Sequence, residues 1–246
     1  MTADPLNRFT ATADCYARYR PGYPAELVDW ILALIPTGSR AVDLGCGTGI
    51  ASRLFADRGL RVVGVDGNRA MLAHADRAGG GPRYLRADAV RLPLAAATAD
   101  LVVSAQAFHW FDHAAAFPEI DRVLVPGGWA AAFWNLRRER GPFPDAYDAL
   151  LRERCPDYGK LNERSGEEQL RESLAGRPFR EASFPVRDRL DWETLVGRAH
   201  SASYVANGVS DLPAFDAALR RAFDRHQKDG QVEAPLTSVV LAWPRA

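Results

Sequence analysis

Ala41–Gly59 reads AVDLGCGTGIASRLFADRG: an apolar run, three glycines within five residues, and then a helical pattern closed by Gly59. Arg40–Leu44 is expected to form a strand and Ile50–Arg58 a helix. A strand that turns directly into a helix exposes unpaired amides and a partial positive charge. Glycine permits the turn and lets a ligand lie against bare main chain. The chain around this element should therefore be an α/β domain that holds a ligand at the turn.

The flanking sequence extends the same rhythm. Arg61–Asp66 (RVVGVD), Arg83–Asp88, Ala99–Gln106 and Trp129–Asn135 read as further strands. Helical patterns near Arg69–Arg77 and Phe111–Leu124 alternate with them, and PGG precedes the fifth strand as a turn. Unbroken apolar strands separated by helices predict a mostly parallel sheet covered on both faces. Its ligand would sit at the carboxyl ends of the strands. Those ends are Gly45–Gly49, Asp66, Asp88, Ser104–Trp110 and Trp134–Asn135, so five segments are expected to meet in one cleft. Beyond Arg137 the rhythm changes. Residues 1–36 are read as an N-terminal helical lid segment and 37–246 as the main domain, with an inserted helical cap at about 141–177 and further helices at about 190–228. Phe179–Leu190 reads as one strand and Pro235–Pro244 as the last.

Composition narrows the partners. The 246 residues carry 31 basic and 31 acidic side chains, with 47% hydrophobic and 25% charged residues. That is an ordinary globular composition, and zero net charge offers a phosphate backbone no general attraction. Nucleic acid and membrane are not expected partners, and oligomeric state is not legible. Three cysteines without paired spacing and the absence of a signal layout point to a reducing, cytoplasmic setting.

The glycines discriminate among ligands. The pattern is Gly45-x-Gly47-x-Gly49, with Ile50 where a dinucleotide fingerprint places its last small residue, and no Lys follows as a phosphate loop requires. A ligand without phosphate, combining an amino-acid carboxylate with a nucleoside, suits this turn better than an NAD-type cofactor. VDLGCGTG resembles the first motif of class I S-adenosylmethionine-dependent methyltransferases, and the likeness runs in order from Ala41 to Asn135. It implies a Rossmann-like, mostly parallel seven-stranded sheet with helices on both faces and an inserted helical cap. The implied cofactor is S-adenosyl-L-methionine, leaving as S-adenosyl-L-homocysteine. It also implies cofactor-side residues: Asp43, Gly45 and Gly47 in the first motif, Asp66 and Gly67 at the ribose, Asp88 and Ala89 at the adenine, and Ala105 and Gln106 beside the methionine portion.

YARYRPGYP (Tyr16–Pro24) and AQAFHWFD (Ala105–Asp112) resemble a narrower subgroup, the trans-aconitate-type small-molecule methyltransferases; HSASYV (His200–Val205) resembles a segment of that subgroup's cap. Tyr16, Arg20, His109, Trp110 and Tyr204 are the acceptor-side candidates. Arg20 would pair with a carboxylate in a fork, and His109 would act as a base or as a hydrogen-bond donor. Phe108, Phe111 and Trp134 are read either as pocket walls or as core. No metal is expected: His109 and His113 are four apart, but Trp110 stands where the zincin pattern needs Glu. The expected activity is methyl transfer to a small molecule, most simply to a carboxylate or hydroxyl oxygen. The alternatives are C- or N-methylation of a specialised metabolite, or a methyltransferase fold that binds the cofactor without transfer. LRRERG (Leu136–Gly141) reads as a solvated charge cluster.

Overall fold

A computed structural model describes residues 13–36, 38–156, 158 and 165–246. Residues 1–12 of the expected lid and 157 and 159–164 of the expected cap lie outside the described residues.

Seven strands form the central sheet in the order β3-β2-β1-β4-β5-β9-β6. They are β1 (Arg40–Leu44), β2 (Arg61–Asp66), β3 (Arg83–Arg86), β4 (Ala99–Ala105), β5 (Leu124–Leu136), β6 (Arg180–Val186) and β9 (Leu236–Pro244). β1 to β5 pair in parallel, while β9 runs antiparallel between β5 and β6. The sheet is thus Rossmann-like and mostly parallel. Successive strands leave β1 toward β2 and β3, and then resume on its other side with β4. A crevice opens where the direction reverses, above the ends of β1 and β4.

The helices are α1 (Ala13–Tyr19), α2 (Ala25–Leu32), α3 (Ile50–Ala56), α4 (Arg69–Ala78), α5 (His113–Val123), α6 (Pro142–Arg154), α7 (Gly166–Ser173), α8 (Trp192–His200), α9 (Ser203–Ala206) and α10 (Leu212–His226). One sheet face packs with Leu27, Ile31 and Phe55 from α2 and α3. The other packs with Phe117, Ile120 and Val123 of α5 and with Leu170 and Leu174 around α7. A third apolar cluster stands apart from both, built from Phe143, Leu151, Leu195, Phe215, Leu219 and Phe223. The stretch 141–177 therefore contains two helices with different neighbours. α7 covers the sheet, whereas α6 joins α8 and α10.

Some local expectations are revised. The Pro126–Gly128 turn is absorbed into β5, which begins at Leu124 with a register irregularity opposite Ala99 and Leu101. The run read as a single strand at Phe179–Leu190 divides into β6 and β7 (Arg189–Leu190), and β7 pairs with β8 (Val232–Glu233) in a separate ribbon. The helix expected from Phe111 starts at His113, where the Asp112 side chain accepts the Ala114 amide; a single 3-10 turn spans Phe108–Trp110. Among the described residues, no helix is long and apolar enough to cross a membrane.

Candidate active site

The Gly45–Gly49 turn caps the switch point. All three glycines take left-handed backbone, at φ 68, 55 and 78°. At Gly45 and Gly49 protein also occupies the space a side chain would need. A Cβ on Gly45 would stand 2.5 Å from the Ala107 Cβ, and one on Gly49 would stand 2.3 Å from the Tyr84 hydroxyl. Bare backbone here lets the loops after β1 and β4 close on one another.

A groove opens beside this turn. Its walls include Gly45, Gly47, Ala105 and Gln106 from the strand ends, and Tyr16 and Arg20 from the segment before the sheet. These six expected residues therefore meet. Gln106 holds a positive φ of 57° that only a constrained loop sustains. Its side-chain amide donates to the Asn135 carbonyl (3.3 Å), and Asn135 donates to the Gly22 carbonyl (3.0 Å). The ends of β4 and β5 are thereby tied to the N-terminal segment that roofs the groove.

Two acids stand behind the turn. Asp66 closes β2 and accepts the Gly47 amide at 2.9 Å and the Asn68 amide at 2.7 Å, which fixes both carboxylate oxygens. Burial raises its pKa against those two bonds. Asp43 is fully buried, and Ser52 Oγ of α3 donates to its Oδ2 at 2.6 Å. Its Oδ1 is buried without a partner, and burial pushes the carboxyl pKa up to about 7. Thr48 Oγ1 and Arg20 Nε are also buried without partners, and both residues line the groove. Unsatisfied polar atoms gathered at one groove fit a ligand with a carboxylate, an ammonium and hydroxyls.

The remaining expected residues are not among those that line the groove. Gly67 follows Asp66, and its carbonyl accepts Arg86 Nε (3.1 Å). Asp88 is exposed in the turn after β3, where it accepts the Val90 amide, and Ala89 beside it is buried. His109 and Trp110 contact each other in the 3-10 turn, ring centroids 4.6 Å apart and planes tilted by 45°. Tyr204 lies in the helical cluster and accepts a bond from Arg137 (2.6 Å). Phe108 and Trp134 are core: Phe108 packs with Phe117 and Trp243, and Trp134 is 2% exposed.

His109 is defined by its neighbour. The Trp134 indole N–H donates to its Nδ1 at 3.1 Å, so that nitrogen carries a lone pair and the proton sits on Nε2. In that form Nε2–H is the donor of the ring. A donor, and not a base, is what the arrangement supplies. His109→Asn should therefore leave the turnover number within about tenfold in steady-state kinetics, because losing a general base costs about 10²–10⁴. A thousandfold loss would restore the base. His113 is engaged by Ser173 Oγ (2.7 Å) and the Phe108 carbonyl (3.2 Å), and no three metal-ligating side chains gather among the described residues.

Sequence reasoning missed Arg137. It sits directly beyond β5 and is exposed. The charge run Leu136–Gly141 concealed it.

Comparison with known proteins bears on the family and the fold. Residues 42–132 match a family described as a methyltransferase domain. A malonyl-[acyl-carrier protein] O-methyltransferase of Enterobacter lignolyticus is 37% identical over a 246-residue alignment that covers 96% of this chain and 90% of that protein. An uncharacterized methyltransferase of Mycobacterium tuberculosis is 43% identical over 133 residues, 54% of each chain, so the match spans about half the length of that relative. Among solved structures, a candidate type II methyltransferase of Anaeromyxobacter dehalogenans superposes with a TM-score of 0.67 at 28% identity, covering 92% of this chain and 98% of its own.

Proposed function

Because the chain belongs to the class I S-adenosylmethionine-dependent methyltransferases, we propose that it transfers the methyl group of S-adenosylmethionine to an oxygen of a small molecule, most simply a carboxylate. The observation that carries the reading is the groove at the switch point, where Gly45–Thr48, Ala105 and Gln106 face Tyr16 and Arg20. A relative of nearly equal length is named for O-methylation, which supports oxygen as the acceptor atom.

The cofactor supplies a methyl group on a cationic sulfur, ready for in-line displacement. Transfer forms one O–C bond and breaks one S–C bond; the bonding pair stays on sulfur, and no proton moves when the acceptor is a carboxylate. The protein's task is then alignment and exclusion of water. Asp66, already oriented by two amides, would accept the ribose hydroxyls. Asp88 and Ala89 would flank the adenine, and Gly67 would continue the ribose side. Arg20, spread over the Tyr16 ring at 4.7 Å, would hold a carboxylate at the groove's mouth. His109 and Trp110 would stand on the acceptor side, His109 as donor.

S-adenosylhomocysteine should raise the melting temperature by mass action. Asp66→Ala should weaken its binding by about 1–3 kcal/mol, the cost of losing a charged acceptor, read by titration calorimetry. No thermal shift with the nucleoside, together with a shift from NAD, would end the reading; unchanged affinity in the variant would place the ribose elsewhere.

A further inference from the structure

The roof of the groove hangs from a serine 103 residues away in the chain from its anchor. Ser238 lies on β9 directly opposite Asn135 of β5, and it is fully buried. Its hydroxyl donates to Asn135 Oδ1 at 2.5 Å, and Asn135 Nδ2 donates to the Gly22 carbonyl at 3.0 Å. Gln106 takes the Asn135 main-chain carbonyl, so the side chain is left to Ser238 and the roof. Only one orientation of the amide serves both bonds. A carbonyl cannot donate, so Gly22 requires the nitrogen, and the hydroxyl then meets the oxygen. A flipped amide would set Oδ1 against the Gly22 carbonyl, two acceptors face to face. Ser238 therefore fixes which end of Asn135 the roof meets. The neighbours of Gly22 give this bond its importance. Arg20, Pro21 and Tyr23 are all walls of the groove. Tyr23 rests edge-on against Phe133 with ring centroids 4.7 Å apart, and Arg20 Nε is buried without a hydrogen-bond partner among the described residues. On the other side of Arg20, the Tyr19 ring packs where Gly197 of α8 leaves no room for a Cβ, and its hydroxyl donates to Glu193 at 3.0 Å. Arg20 and Pro21 are thus held between two anchors, one on α8 and one at the end of β5.

We propose that Ser238 and Asn135 are positioning residues for the cofactor: through Gly22 they hold Arg20, Pro21 and Tyr23 over the groove, and so set how long a bound nucleoside stays. The Asn135–Gly22 bond exists while the roof is seated and is lost when it lifts. Removing it therefore lowers the barrier to departure and leaves arrival, which begins from the lifted roof, nearly unchanged. Ser238 contributes no atom to the groove walls and acts through the amide alone. This inference rests on the methyl-transfer reading for the identity of the ligand, although the seating of the roof can be measured in the empty protein.

The test measures S-adenosylhomocysteine association and dissociation by stopped flow, together with amide hydrogen exchange over residues 16–24 of the ligand-free protein. Asn135→Asp keeps the shape and the acceptor for Ser238, but it replaces the donor to Gly22 with a repelling oxygen. It should speed dissociation about twentyfold, with association within about threefold of wild type. Ser238→Ala, which frees the amide to turn, should speed dissociation about fivefold. The double variant should release the nucleoside no faster than Asn135→Asp alone, because Ser238 acts only through that amide. Exchange over residues 16–24 should quicken in the same order while the β9 amides stay protected, which separates a lifted roof from a loosened sheet. Should Asn135→Asp expose β5 and β9 as well, Ser238→Ala decides alone. Unchanged dissociation and exchange, additive effects in the double variant, or a loss confined to association each overturn the proposal and leave the methyltransferase reading standing. If S-adenosylhomocysteine does not bind the wild-type protein, that reading fails, and exchange over residues 16–24 still decides whether Ser238 and Asn135 seat the roof.

Discussion

Gly45→Ala should abolish usable cofactor binding, lowering S-adenosylhomocysteine affinity at least a hundredfold, about 3 kcal/mol. Two costs add. The backbone stands at φ 68°, where an L side chain costs about 1–2 kcal/mol. The new methyl group would also lie 2.5 Å from the Ala107 Cβ and 3.1 Å from the Phe111 ring. Neither neighbour is the loose end of a long side chain. Ala107 follows the constrained Gln106, and Phe111 packs edge-on to buried Phe108. The loops after β1 and β4 must then separate, and they are the two walls of the groove. Gly59→Ala is the control: its φ is 86° and nothing lies within 4 Å of the added methyl. That variant should lose about 1–2 kcal/mol of stability, a few degrees of melting temperature in a chain of this size, with cofactor affinity intact. If both variants bind S-adenosylhomocysteine alike, loop closure over Gly45 does not shape the site.

This contrast explains what the sequence could and could not reveal. β1 and β2 were legible because their apolar, valine-bearing runs end at Gly45 and Asp66, a local signal that needs no partner. Asp66 was legible as a strand-end acid for the same reason. The reason for the glycines was not, since the Ala107 methyl that Gly45 avoids is 62 residues away in the chain. Arg137 failed in the same manner: within Leu136–Gly141 it is one charge of several, and only the fold brings Tyr147 and Tyr204 to it. Phe108 and Trp134 illustrate the converse. Both sit in segments that border the site, yet which side of the chain faces the core depends on α5, α7 and β9 packing there. Position along a strand end was readable; facing was not.

Asp43→Asn should stabilise the cofactor-free protein, increasingly so as pH rises from about 4 to about 7. The buried carboxyl has its pKa pushed up to about 7 from the ordinary 3.8, chiefly by burial and against the Ser52 hydrogen bond. Below about pH 4 the group is protonated in folded and unfolded chains alike and contributes no pH dependence. Between the two pKa values the unfolded chain has lost its proton while the folded chain retains it. The folded state then binds more protons, so its stability falls with rising pH. Above about pH 7 the loss is complete, on the order of 4 kcal/mol at 1.36 kcal/mol per pKa unit. Asparagine nearly preserves shape and still offers Ser52 Oγ an acceptor, but it cannot ionise. Urea unfolding of both proteins at pH 4, 5.5, 7 and 8 should therefore show a gap that opens with pH and then levels off. The same variant should bind S-adenosylhomocysteine less well at pH 8 if the buried acid behind the turn balances the ligand's ammonium group. A stability gap that stays flat from pH 4 to pH 8 would mean that Asp43 is ionised throughout, with its second oxygen satisfied inside the fold, and would remove it from the site.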